Sequence, residues 1–175
     1  MTEMIACPAR SESETVGEAE FKAAMRQVAA SVAIVTAHAG GRRNGLTVTA
    51  ACSVAASPPT ILVCINRNAS AEALIEESGA FAVNFLTDRQ HGIARLFSTS
   101  KLSPEERFAN GEWGVLATGS PVLEGTVASF DCRVESRFVA GTHHIYLGRV
   151  VGVTSLDQEV LLYRDGSFRR LDPAE

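Results

Sequence analysis

Apolar side chains fall at helical spacing near the start of the chain, at Phe21, Met25, Val28 and Val32 within FKAAMRQVAASV. This predicts an amphipathic helix over about residues 19–30, feeding a strand VAIVTA. The period then changes. VAIVTAHA, LTVTAACSV, TILVCIN and FAVNFL are short, rich in β-branched residues and bounded by Gly40-Gly41, Asn44-Gly45, Ser57-Pro58-Pro59 and Gly79, which predicts strands. Helices are expected at AEALIEES, with Ser70 as its N-cap and Gly79 after it, and at about DRQHGIARLF after Thr87. A third begins at Ser103-Pro104-Glu105-Glu106, which combines a capping serine, proline at the first helical position and glutamate three residues on, and it ends near Gly111. The last third reads as strand throughout: TVASFDCRVESRFVAG, HHIYLGRVVGVTSL, and VLLYR joined to SFRRL by the hairpin pair Asp165-Gly166. Strands outnumber helices and follow one another through tight turns. The expected fold is mainly β, an antiparallel sheet closed as a barrel with helices packed outside, and not a doubly wound parallel sheet.

One stretch departs from strand chemistry. In residues 45–53, GLTVTAACS, nearly every side chain is small or carries a hydroxyl, where a buried strand prefers bulk. Either two backbones meet there at a tight corner, or a flat ligand lies against main chain and hydroxyls.

At 175 residues the chain fits a tail over 1–18 and a single domain over 19–175. The net charge is −4, and the basic clusters are the pairs Arg42-Arg43 and Arg169-Arg170, too little for a nucleic-acid binder. Cys7, Cys52, Cys64 and Cys132 show no C-x-x-C or zinc-like spacing, so they read as reduced cytosolic thiols and no metal site is expected. The first 17 residues lack the apolar core of a signal peptide, and no 18 apolar residues run together. The expectation is a soluble cytoplasmic protein with no membrane segment.

No G-x-G-x-x-G follows a strand and no P-loop motif is present, so a nucleotide must be held in another way. Ser70 opens a helix directly after CINRNA, where a phosphate can sit with Arg67 adding charge; the alternative is that Ser70 only caps its helix. His143 and His144 are neighbours in a strand and point to opposite faces, so at most one faces a ligand, the alternative being an edge histidine in solvent. His38 and His91 have no identifiable partners. No G-x-S-x-G elbow supports a catalytic serine, and nothing places a base beside Cys52.

NGLTVTAACSVAASPPTILVCINRNAS, FAVNFL, EERF and GTHHIYLGRV, in that order and spacing, resemble the short-chain flavin reductases, the small partners of two-component flavin monooxygenases. The likeness runs from about Phe21 to Leu171 and is nearest to the reductases serving 4-hydroxyphenylacetate or pyrimidine-ring monooxygenases. It implies an FMN-binding split β-barrel, a homodimer, FMN or FAD as flavin, and NADH or NADPH as reductant. By the same resemblance Asn44, Thr47, Val48 and Thr49 lie along the isoalloxazine, and Cys52 and Ser53 continue the loop toward the ribityl chain and phosphate. Asn66, Arg67 and Ser70 then meet the phosphate, and His143 stands near the nicotinamide. The chain has Gly-Thr-His where many relatives have Gly-Asp-His, and Arg67-Asn68-Ala69-Ser70 where some place lysines. Hydride transfer between two stacked rings needs no strong acid or base, which suits a sequence without a catalytic cluster. Small residues at 45–53 would let a flavin approach the main chain, in a shallow site completed by the second subunit. Two other readings carry the same motifs: a flavin-dependent corrin reductase with a corrinoid acceptor, and a non-catalytic flavin- or haem-binding split barrel with His143 as haem ligand.

Overall fold

The structure, a computed structural model, describes residues 15–172. The tail expected over 1–18 therefore lies largely outside the described residues, as does Cys7. In chain order the elements are α1 (Glu18–Met25), β1 (Ala30–Ser31), β2 (Ala33–Ala39), β3 (Arg42–Val48), β4 (Ala51–Ala56), β5 (Pro59–Asn66), α2 (Glu72–Ser78) and β6 (Ala80–Phe85). A 3-10 turn (Asp88–Gln90) leads into α3 (His91–Phe97), followed by α4 (Pro104–Phe108), β7 (Trp113–Val115), β8 (Pro121–Leu123), β9 (Ala128–Ala140), β10 (His143–Ser155), β11 (Leu162–Arg164) and β12 (Ser167–Arg169).

Seven strands form one antiparallel sheet in the order β3-β2-β6-β9-β10-β5-β4. Its two edge strands, β3 and β4, are consecutive in the chain, separated only by Thr49 and Ala50. Three Cα steps span at most about 11 Å, so the edges must meet at this corner and the sheet must roll on itself. No ladder joins β3 to β4, which makes the barrel a split one. GLTVTAACS is thus not one strand but the end of one, a corner and the start of another.

The core has two compartments. Val35, Val63, Ile65, Phe81, Val83 and Tyr146 fill the barrel, with Leu74 and Ile75 of α2 added to them. Ile34, Leu86, Phe97, Phe108, Leu123 and Leu161 form a second cluster outside it, under α3 and α4. β2 is therefore buried on both faces, and its apolar run does not alternate. Gly148 is needed where Phe81 crosses β10: a Cβ there would lie 2.5 Å from Phe81 Cζ.

The predicted elements recur with local differences. Ser103 and Glu106 form the expected capping box of α4, and Asp165 and Gly166 turn the last hairpin with φ of 49° and 75°. The first helix ends at Met25 rather than near residue 30, and Phe21, Met25 and Val28 are 57%, 50% and 54% exposed. Its apolar face covers none of this chain's core. Ser70 does not cap α2; the residue before that helix is Ala71, and no side chain caps it. No helix among the described residues is long and apolar enough to cross a membrane.

Candidate functional site

The corner opens onto a cavity of about 1070 Å³ lined by the end of β3, α3 and the β11–β12 hairpin. Thr47, Val48 and Thr49 form one wall, Phe97, Tyr163 and Phe168 give apolar surface, and His91, Arg95, Arg169 and Arg170 bring basic groups. Local packing explains the wall. Gly45 lets α3 close on β3, because a Cβ there would lie 2.9 Å from Val35 O and 3.0 Å from Phe97 Cε1. The Thr47 hydroxyl donates to Ala94 O of α3 at 2.7 Å, so its proton fastens the wall and only its lone pairs are left for a ligand. Thr49 and Ala50 are exposed. As edge strands, β3 and β4 each leave a row of backbone N–H and C=O groups without a strand partner beside this corner.

At the other end of β3 a second cavity, of about 820 Å³, is lined by His38, Arg42, Arg43, Asn44, Ser70 and Glu105 among others. Asn44 is buried, and its Nδ2 donates to Ser70 Oγ at 2.9 Å. Behind it Arg107 of α4, 6% exposed, donates from Nη1 to Asn44 Oδ1 at 3.1 Å and to Gly45 O at 3.2 Å, and from Nη2 to Thr99 O at 2.7 Å.

The remaining expected residues lie on neither cavity wall. His143 is half-buried opposite Asn66, its Nδ1 2.9 Å from the Thr142 hydroxyl, and Arg67 N donates to Thr142 O next to it. Ala50 O accepts from Cys64 N, so strand spacings put His143 roughly 12 Å from the corner. Cys52 and Ser53 stand exposed on β4, in a strand where a loop was expected. Arg67 and Ser70, expected to act together on one phosphate, face different surroundings: only Ser70 lines a cavity.

His144 takes the opposite face, as the alternation requires. It is buried, with Nδ1 2.5 Å from Glu72 Oε1, and since a carboxylate only accepts, the ring nitrogen donates. The Tyr146 hydroxyl lies 2.8 Å from Glu72 Oε1 and 2.7 Å from Glu76 Oε1, and Arg137 pairs with Glu76. Burial, then Glu76 and Glu72, push the Tyr146 phenol well above its ordinary range. Glu72, Glu76 and His144 converge closely enough to hold a metal ion, yet these contacts already engage each of them. Burial raises the Cys64 thiol, with Cys52 on the adjacent strand adding to it, and burial followed by Asp131 pushes Cys132 up to about 12. All three described cysteines are free thiols.

The structure thus brings Thr47, Val48 and Thr49 together at one cavity, Asn44 and Ser70 at a second, and Asn66, Arg67 and His143 at a strand end. Sequence reasoning missed His91, Arg95, Arg107 and the aromatic hairpin residues Tyr163 and Phe168. The Arg169-Arg170 pair was visible only as charge, and EERF only as a motif.

Comparison with known proteins adds three findings. A family model described as flavin reductase like domain matches residues 25–172. The chain is 40% identical over 162 residues to FMN reductase (NADH) RutF 2 of Methylorubrum extorquens strain PA1, covering 92% of this chain and 94% of that protein. Among solved structures it is similar to a flavin reductase from Haemophilus somnus 129PT (TM-score 0.86, 38% identity, 89% of this chain and 100% of that one). It is also similar to BorF, the flavin reductase component of a bacterial two-component tryptophan halogenase (TM-score 0.82, 28% identity, 90% and 100% covered).

Proposed function

The chain belongs to the flavin reductase like domain family, and from that premise we propose that it is an NADH-dependent FMN reductase that hands reduced flavin to a separate monooxygenase component. The observation that carries this reading is the 40% identity, over nearly the full length of both chains, to a protein named for that reaction. The partner reading draws on BorF, itself the reductase half of a two-component system. These relatives favour flavin reduction over the corrinoid and haem-binding readings.

The cavity at the corner fits a flavin. Its volume of about 1070 Å³ lies just above the range for small-molecule sites, roughly 300–1,000 Å³. Its aromatic surfaces suit a flat ring, and the open backbone edges beside Thr49 offer the donors and acceptors that the polar edge of such a ring requires. Bound FMN would supply the hydride acceptor and carry the electrons onward. The chain's part is to hold the ring against Val48 and Thr49 and to present basic side chains, Arg95 and Arg169, at the cavity rim. His143, outside the cavity at the start of β10 and separated from the β4 edge by β5, is assigned to the nicotinamide nucleotide, which is long enough to bridge that distance.

A homodimer is part of the proposal. Val54, Phe138, Val151 and Val153 are 52%, 47%, 39% and 60% exposed, and with the face of α1 they offer apolar surface that a second copy would cover. Light scattering at twice the 18.6 kDa of the chain is the expected result, and a monomer mass would exclude the dimer. The protein is assigned to the cytoplasm, consistent with free thiols. Steady-state NADH oxidation with FMN as the varied substrate tests the activity: saturable, FMN-dependent turnover is expected, and none with either FMN or FAD would overturn it.

A further inference from the structure

We propose that Thr142 is a positioning residue for His143: its hydroxyl holds the imidazole in the tautomer that carries the proton on Nε2, and so presents an N–H to an acceptor oxygen of the nicotinamide nucleotide. The ligand class rests on the reductase reading, whereas the tautomer follows from the hairpin alone. β9 and β10 are joined by Gly141 and Thr142 only, with His143 paired to Ala140 across the turn. Gly141 has a φ of 56° and Thr142 is not among the residues at positive φ, the pattern of a type II′ hairpin turn. Thr142 O also accepts from Arg67 N at 3.0 Å, which pins the turn to the segment that follows β5. With its backbone held from both sides, Thr142 has only its side-chain rotamer to set, and a β-branched residue is stiff there. Its Oγ1 lies 2.9 Å from His143 Nδ1.

The direction of this hydrogen bond decides what the ring offers. A neutral imidazole has one nitrogen that donates and one that accepts, and the bond made by the first sets the role of the second. The Thr142 hydroxyl has no other hydrogen-bond partner among the described residues, and an imidazole nitrogen is a much stronger base than a hydroxyl oxygen. The proton therefore runs from Oγ1 to Nδ1, and Nε2 carries the ring's own hydrogen. Nε2 has no partner among the described residues, so that N–H is open to a ligand. Asn66 stands opposite His143 in the ladder and on the same face. Its Oδ1 accepts from Asn68 N at 2.9 Å, which leaves the two protons of Nδ2 as its free end. Both side chains at this strand end thus present donors, and donors call for an acceptor oxygen, of the carboxamide or of a phosphate. An aspartate at 142 would reverse the polarity: a carboxylate only accepts, so Nδ1 would hold the proton and the neutral ring would offer a bare Nε2.

Long-range proton–nitrogen NMR spectra of the histidine rings read the tautomer without any substrate, with His143→Ala identifying the signals. At a pH where the ring is neutral, the unaltered chain should show His143 protonated at Nε2 and bare at Nδ1, and Thr142→Asp should move the proton to Nδ1. Thr142→Val keeps the β-branched shape and deletes the donor. Its kcat/KM for NADH should fall roughly two- to tenfold, chiefly through KM, with FMN affinity unchanged; Thr142→Ser should restore it. A loss that persists with reduced nicotinamide riboside places the acceptor on the carboxamide, and one that vanishes places it on a phosphate. A merely structural Thr142 would instead lower the melting temperature and weaken FMN and NADH together, with no rescue by serine. Nδ1 found protonated in the unaltered chain, or NADH kinetics unmoved in Thr142→Val, overturns the proposal. Failure of the reductase reading looks different: no NADH oxidation by any variant, with the tautomer and its reversal in Thr142→Asp intact.

Discussion

Replacing His144 by alanine, beside the same change at His143, separates two neighbours that the strand assigns to different tasks. His144 is 8% exposed, its ring donates to Glu72, and it stands edge-on to Tyr146 with centroids 5.9 Å apart. Its removal forfeits a hydrogen bond to a charged group, about 1.5–3 kcal/mol, and an aromatic contact of about 0.5–1.5 kcal/mol. Glu72 is then left with only the Tyr146 hydroxyl, whose single proton Glu76 also claims. The sum, about 2–4.5 kcal/mol, corresponds to a melting-temperature loss of roughly 4–18 °C for a domain of this size. His143 is half-buried, and its ring touches the hydroxyl of its own neighbour Thr142, so His143→Ala should move stability by no more than about 0.5 kcal/mol. Its effect should appear instead in kcat/KM for NADH, at about 1–3 kcal/mol or roughly five- to a hundredfold, with FMN affinity unchanged. Circular dichroism melts at one fixed protein concentration, paired with NADH kinetics on both variants, measure the two effects. A stable His144→Ala, or a kinetic loss confined to that variant, would refute the assignment and with it the register of β10.

Two further perturbations follow from the packing. Gly45→Ala puts a methyl 2.9 Å from a backbone oxygen that cannot retreat, and overpacking of that kind costs about 1–3 kcal/mol; because Phe97 must shift, FMN binding should weaken in parallel, and a variant with both properties intact would show that α3 does not set the cavity wall. Cys132, with its thiol pushed up to about 12 from an ordinary 9.0, keeps its proton in the folded state over a range where the unfolded chain ionises. The native state then binds more protons than the unfolded one, so stability should fall as pH rises from about 9 toward 12, by up to about 1.4 kcal/mol per pH unit. Cys132→Ser should flatten that slope, whereas an unchanged slope would assign it to other groups.

Much of the fold was legible because local signals agreed with one another. The Ser103 capping box, the Asp165-Gly166 turn and the β-branched runs each name their element without help from distant residues. The first helix was misjudged because periodicity reports an apolar face and not what covers it: Phe21, Met25 and Val28 have the spacing of a core stripe, and no core of this chain lies beneath them. Ser70 had the right residue type for a cap, yet Asn44, 26 residues earlier, engages its hydroxyl. GLTVTAACS raised two explanations, and the corner it forms is also one wall of the cavity, so neither excluded the other. Thr47 to Thr49 could be placed from their motif. Arg95, Arg107 and the C-terminal hairpin could not, since what brings them beside β3 is the closing of a barrel that puts positions more than 60 residues apart into contact.

The central claim is that this chain moves hydride from NADH to FMN, and the most direct test is anaerobic mixing of the purified full chain with FMN and NADH while following the visible absorbance of the flavin. The account predicts bleaching at a rate proportional to protein concentration, and return of the colour when air is admitted. Bleaching no faster than in a protein-free control would contradict it.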